Sequence, residues 1–236
     1  MKHSFAKTLF VSLFCAAAAG ASAAPVLIKE TGLGNGQATN GLILPIQSGA
    51  LNYWAGFQVL TINDGSPVLA FCVDPWEWTP GNTNQSYDDA GSLDSIFGSK
   101  SNAIRELYSE FYASTLDNTT AGDRAAAGFQ LALWEIIADD DFTLDGSGSV
   151  ATVASTNQTI VDIANDMLGQ LDGVLGGDNY SFTFYTSGKI NGAGSVNGFQ
   201  DYLVASKIPE PGSALLLLTA LGSGLLIGRR RQQADA

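Results

Sequence analysis

The chain has 236 residues, of which 23 are acidic and 11 basic, giving a net charge of −12 at pH 7 with one histidine and two cysteines. Such an acidic surface repels nucleic acid and anionic lipid. Few cysteines exclude a disulfide framework, so a folded domain here must be stabilised by burial, for which the chain is long enough.

Residues 1–23 read as a secretory signal peptide. Lys2, His3 and Lys7 form a basic start, residues 9–19 are apolar, and Ala21-Ser22-Ala23 is a small-x-small cleavage site. The apolar stretch is too short for a permanent span; a membrane anchor is the alternative reading. Removal of this segment takes away His3 and Cys15, leaving Cys72 as the single thiol and no histidine. Ser-His-Asp triads, Cys-His dyads and histidine-ligated zinc sites are thereby excluded.

Residues 24–190 are expected to form one domain. They and the following residues to 208 hold 21 acidic and 6 basic side chains, a net charge of −15. Strands are expected over residues 40–62, rich in aromatic and β-branched residues, and from Val68 to Val73, with the Asn63-Asp64-Gly65-Ser66-Pro67 turn between them. Alternation puts Val68, Ala70 and Cys72 on one face and Leu69, Phe71 and Val73 on the other. Both faces are apolar, which predicts a central strand. Residues 75–91 read as a loop carrying Trp76, Trp78 and Tyr87.

Three helices follow. Ile104, Leu107, Tyr108, Phe111 and Tyr112 recur at helical spacing behind Ser101 as an N-cap. A second helix is expected over residues 121–138, with Thr120 and Asp123 placed like a capping box. A third carries Ile160, Ile163, Ala164, Met167, Leu168 and Leu171 on one stripe after Thr156. Tyr180 to Thr186 alternates as a late strand, and residues 191–208 read as a Gly-rich linker. The fold class expected is α+β, with short antiparallel strands forming a sheet or barrel, three inserted helices, an N-terminal signal helix and a C-terminal transmembrane helix.

At the other end, Pro209-Glu210-Pro211 is followed by residues 213–228, with eight Leu or Ile and no charge, then Arg229, Arg230 and Arg231. The apolar residues favour insertion by a few kcal/mol in sum, about 0.3–0.6 each, and the arginines hold the end on the cytoplasmic side. Residues 209–231 resemble the PEP-CTERM sorting signal of Gram-negative bacteria. The resemblance implies transient anchoring in the inner membrane, processing by an exosortase, and release to the cell surface or extracellular matrix. An ordinary tail anchor is the alternative.

Two polar side chains in apolar runs carry the chemistry. Cys72 lies in Phe71-Cys72-Val73-Asp74, and Gln130 lies among Phe129, Leu131, Ala132, Leu133 and Trp134. A buried carboxamide without partners costs about 1–3 kcal/mol, and a thiol in apolar surroundings stays protonated. Condensing the two with loss of ammonia leaves a thioester. That group has no hydrogen-bond donor and is an activated acyl group open to an amine or hydroxyl. Water-excluding walls would protect it until a partner docks; Phe71, Trp76, Trp78 and Trp134 are candidates. The plain alternative is an inert core thiol beside a hydrogen-bonded core amide.

Phe71-Cys72-Val73-Asp74 and Phe129 to Trp134, in that order and separated by a helix, resemble the two motifs of the thioester domains of bacterial surface adhesins. Glu135 stands where the family has an apolar residue, and Phe129 where a threonine is common. The resemblance covers about residues 40–190. It implies a Cys72–Gln130 crosslink, with Phe71, Asp74, Trp76, Phe129 and Trp134 shielding or supporting it. It further implies covalent attachment to a surface or matrix nucleophile such as a protein lysine or a glycan hydroxyl. Such a module reacts once, so no enzyme activity, cofactor or metal is expected. Asp139-Asp140-Asp141 and Asp145 hint at calcium, but Thr152 stands where the closing glutamate belongs, which favours a solvated acidic loop. The competing function is a non-covalent structural or carbohydrate-binding protein of the exopolysaccharide matrix, with Trp76 and Trp78 stacking on sugars.

Overall fold

The computed structural model describes residues 25–43, 51–74, 77, 79–89, 91–138, 142–144, 151–152, 157–173, 179–187 and 198–209. Its strands are β1 (Val26–Ile43), β2 (Leu51–Ile62), β3 (Pro67–Cys72), β4 (Gln85–Asp89), β5 (Ala151–Thr152), β6 (Tyr180–Thr186) and β7 (Tyr202–Lys207). Its helices are α1 (Leu93–Phe97), α2 (Ser101–Thr115), α3 (Thr120–Ala138) and α4 (Gln158–Leu168), with a 3-10 turn at Gly98–Lys100.

The fold is α+β, as the sequence leads one to expect, and of the two sheet forms it adopts the barrel. Strand order β2-β3-β7-β6-β4-β1 closes on itself through β1–β2 pairing, every pair antiparallel, and β5 adds to the far end of β1. Closure removes the open edges that a sheet of this size would otherwise expose. The long β1–β2 ladder shifts register between Leu33 and Gly36, and Gly36 faces Gly56. A Cβ on Gly56 would lie 2.3 Å from the Asn35 carbonyl oxygen and 2.5 Å from the Gly36 Cα, and the Gly56 φ is 138°. Only glycine permits that approach. The β2–β3 hairpin turns through Asn63 and Asp64, both at positive φ (49° and 55°), the backbone suited to a tight hairpin.

Helix α3 is the hub. Every residue from Ala126 to Ile137 is buried, as fits a helix covered on all sides. Gly128 lets α4 approach: a Cβ there would meet Ile163 Cγ2 at 2.4 Å. The Lys100 ammonium donates to the Ile137 carbonyl at 3.0 Å, a cation at the C-terminal end of the helix dipole. An aromatic stack joins sheet to helices: Phe57 on Phe71 (4.3 Å between centroids), Phe71 on Phe129 (4.6 Å), and Tyr108 edge-on to Phe129 (4.9 Å).

Several local expectations change. Strand β1 starts at Val26 and not near residue 40; its glycines at 32, 34 and 36 break the alternation that marks a strand. The loop assigned to residues 75–91 contains β4. The linker assigned to 191–208 contains β7, which sits between β3 and β6 and makes the domain run to residue 207. Ser101 does not cap α2 from outside; it is the first helical residue, and its hydroxyl donates to the Gly98 carbonyl at 2.7 Å. Thr119 rather than Thr120 caps α3, its Oγ1 accepting from Gly122 N at 3.1 Å. Asn157 caps α4, its Oδ1 accepting from Thr159 N at 3.2 Å. Among the described residues no helix is long and apolar enough to cross a membrane. The signal and sorting segments, the acidic residues 139–141 and 145, and Trp76 and Trp78 lie outside the described residues, apart from Pro209.

Candidate functional site

The site forms where β3 ends. β2 and β3 pair from Thr61–Pro67 to Gln58–Ala70, two residues short of Cys72. On its other side, β3 pairs Cys72 with Tyr202 of β7, and Val73 N donates to the Asp201 carbonyl at 3.0 Å. In an antiparallel ladder successive residues turn their N–H and C=O to opposite neighbours. The backbone groups of Cys72 therefore face the side that β2 has left. Gln130 of α3 fills the gap: Cys72 N donates to Gln130 Oε1 at 3.0 Å, and Gln130 Nε2 donates to the Cys72 carbonyl at 2.7 Å. The carboxamide takes the place of the missing peptide and satisfies two buried backbone groups at once.

Both residues are buried, Cys72 at 1% exposure and Gln130 at 0%. The pKa of the Cys72 thiol is pushed well above its ordinary value, first by burial and then by the negative charge of Glu30, while a Gln58 side-chain hydrogen bond works the other way. The sulfur is therefore a protonated, uncharged thiol at neutral pH. Cys72 is the free cysteine among the described residues. It shares its face with Ala70 and paired Tyr202, and Tyr87 packs on Tyr202 at 5.7 Å.

The other sequence-selected residues fall around this pair. Phe71 and Phe129 stack on one another, and Trp134 lies one helical turn beyond Gln130 at 1% exposure. Asp74 is buried at 2% and lies just after Cys72 on the chain. Glu135, where the motif expects an apolar residue, is also fully buried. Among the described residues no group of three potential metal ligands occurs.

Sequence reasoning missed a second layer. Glu30, Trp54, Gln58, Glu77, Trp134 and Gln200 line a cavity of about 270 Å³ beside the pair. Asp201 is buried at 1%; its carboxylate accepts from Thr186 Oγ1 at 3.0 Å and Ser187 N at 2.7 Å, and burial pushes its pKa up to about 7. Glu77 is also pushed up to about 7, by burial and then by Asp74 and Asp201. Gln58 was visible in the sequence as a lone polar residue between Phe57 and Val59. Glu30 and Asp201 were hidden because their strands, or strand neighbours, were not recognised.

No family model and no curated protein matches the chain. Among solved structures it is similar to the N-terminal domain of the Streptococcus pyogenes pilus tip adhesin Cpa, with 13% identity over 77% of this chain and 98% of that one and a TM-score of 0.40. It is similar to the N-terminal thioester domain of fibronectin-binding protein SfbI from Streptococcus pyogenes, with 14% identity, 79% and 95% coverage and a TM-score of 0.44. It is also similar to the Bacillus anthracis TIE protein, with 12% identity over 78% of this chain and 39% of that one and a TM-score of 0.35. All three TM-scores lie below 0.5.

Proposed function

We propose that this chain is an exported surface module whose Cys72 and Gln130 condense into an internal thioester that captures a nucleophile on a partner surface. The observation that supports it is the reciprocal pair of hydrogen bonds clamping the Gln130 carboxamide onto the residue that bears the thiol. In the condensation the Cys72 sulfur bonds to the Gln130 carboxamide carbon and the C–N bond breaks. The thiol proton goes to the departing nitrogen, which leaves as ammonia. The Cys72 N–H already points at the Gln130 oxygen, where negative charge develops during addition, so it serves as a preorganised oxyanion donor. The Cys72 carbonyl orients the leaving nitrogen. Burial then withholds water from the product.

Capture runs the chemistry forward once more. An amine or hydroxyl adds to the same carbon, the C–S bond breaks, and the Cys72 thiol is regenerated while Gln130 becomes an amide or ester. The module is consumed in the act, which is why it is read as a single-use reagent and not an enzyme.

The ends of the chain suggest the setting. The N-terminal signal would export the domain, and Pro209-Glu210-Pro211, the apolar stretch and Arg229, Arg230 and Arg231 would hold it transiently in the inner membrane for an exosortase. Release then brings it to the cell surface or the exopolysaccharide matrix. Incubating the domain with methylamine and mapping its peptides tests the function. The adduct is expected on Gln130, with the Cys72 thiol becoming alkylatable only afterwards; a Cys72 thiol that titrates in full after denaturation before any amine is added would contradict it. The second reading, a matrix protein without a crosslink, draws on the same carboxamide: its pairing with the β3 backbone is a sufficient structural reason for Gln130.

A further inference from the structure

Making or breaking a thioester at Cys72 puts negative charge on two atoms, the carbonyl oxygen of Gln130 and the sulfur. The oxygen already has a donor in Cys72 N. The surroundings of the sulfur oppose charge: burial, Glu30 and Asp74 all hold the Cys72 pKa up. Among the described residues, no Lys, Arg or His lines the adjoining cavity. One neighbour acts the other way. The Gln58 side chain hydrogen-bonds the thiol in the sense that favours its ionised form.

Strand register explains why Gln58 reaches the sulfur. In the β2–β3 ladder Gln58 stands opposite Ala70. Side chains two residues apart on a strand share a face, so Gln58, Ala70 and Cys72 lie on one face. Gln58 is then the diagonal neighbour of Cys72, a separation that a long side chain spans. The same register continued would set Gly56 opposite Cys72, a residue with no side chain to occupy the space. Gln58 is buried at 3%, and Ala70 and Cys72 at 1% each. A bond that lowers a thiol pKa must be donated to the sulfur, which assigns Gln58 Nε2 to it. Gln58 Oε1 is left without a partner among the described residues. A buried carboxamide that gives its donor to a weak acceptor and leaves its oxygen unpaired is poorly satisfied in the resting fold. It is better satisfied when the sulfur carries charge.

We propose that Gln58 is a catalytic group for the sulfur, donating its Nε2–H to the charge that develops on Cys72 Sγ when the thioester forms and when it is attacked. The proposal rests on the thioester reading. In the condensation the sulfur adds to the Gln130 carbonyl carbon, the C–N bond breaks, and the thiol proton ends on the departing ammonia. In capture an amine adds to the same carbon. The C–S bond then breaks with its electron pair going to Sγ, and one amine proton ends there. A thioester sulfur is a poor acceptor and a departing thiolate a strong one. The Gln58 bond therefore strengthens on the way to the transition state, which is the condition for accelerating a step.

The test follows methylamine capture on Gln130 by mass in the full chain and in Gln58→Met, which keeps the length of the side chain and removes its donor. Capture is expected to slow roughly tenfold or more, the value of a hydrogen bond to a charged group, and hydrolysis of the thioester to slow with it. A side chain that only fills space gives the opposite sign, because a loosened wall admits water and amine and both reactions speed up. Rates in Gln58→Met that are unchanged or faster overturn the proposal. Where Gln58→Met does not fold or does not close the bond, the unsubstituted chain decides. Its Gln58 side-chain amide resonance is expected to move on capture, as the acceptor turns from thioester sulfur to thiol, and a resonance that stays still overturns the proposal. A wild-type chain that never loses ammonia removes the thioester reading and this proposal together. A wild-type chain that does, with Gln58→Met reacting at the same rate, removes this proposal alone.

Discussion

Replacing Gln130 by methionine in a chain already carrying Cys72→Ala isolates what the carboxamide does for the fold. The hydrogen bonds from Gln130 run to the backbone of residue 72, so they survive loss of the thiol, and no crosslink complicates the reference. Methionine keeps the volume of the side chain and removes both bonds. The N–H and C=O of residue 72 are then buried and orphaned, at about 1–3 kcal/mol each, so the loss should be about 2–6 kcal/mol. With a urea dependence of about 2 kcal/mol/M, the unfolding midpoint falls by about 1–3 M. Gln130→Ala adds a cavity at a fully buried site and should cost more. A Gln130→Met loss below about 0.5 kcal/mol would refute the reasoning that the carboxamide completes the β3 ladder, because no orphaned pair of that depth is so cheap.

Other outcomes rest on single features. Gly56→Ala forces a Cβ to within 2.3 Å of the Asn35 carbonyl oxygen at a φ of 138°, and should cost about 2–3 kcal/mol or more in urea unfolding. Asp201 and Glu77 are more easily protonated in the fold than in the unfolded chain, both near 7. Their contribution is therefore complete below about pH 4 and lost as pH rises through 7. The melting temperature should fall between pH 5 and pH 8, and Asp201→Asn should flatten that slope; the half-exposed Glu77 adds less. The Glu106 carboxylate accepts from Asp172 N at 2.8 Å and Gly173 N at 3.0 Å and so ties the segment after α4 to α2. Glu106→Ala should cost about 1–3 kcal/mol and speed hydrogen exchange at residues 172 and 173.

The parts of the molecule legible in the sequence were those with a strong period. Helices α2, α3 and α4 and strands β3 and β6 announce themselves by apolar spacing, and the Asn63-Asp64-Gly65 turn by its residue types. Strand β1 was obscured by its glycines at 32, 34 and 36, of which Gly36 has a tertiary value: with Gly56 of β2 opposite, it lets two backbones approach, which no local pattern encodes. β4 and β7 carry Asp88, Asp89, Ser206 and Lys207, polar ends that read as loop until a partner strand is present. For the site, the isolation of Cys72 and Gln130 in apolar runs pointed to both residues. What the sequence did not disclose is how they meet. Gln130 reaches a backbone and takes the place of a strand that has turned away, a relation set by where β2 leaves β3. Glu30, Gln58 and Asp201 belong to the surroundings because of strand pairing, which couples positions far apart in the chain.

An intact-mass spectrum of the purified, unreduced domain bears on the crosslink without any intermediary. The account predicts a species lighter than the sequence mass by one ammonia, restored to full mass in Cys72→Ala and in Gln130→Ala. A wild-type protein at its full sequence mass, with Cys72 alkylated quantitatively on unfolding, would contradict it.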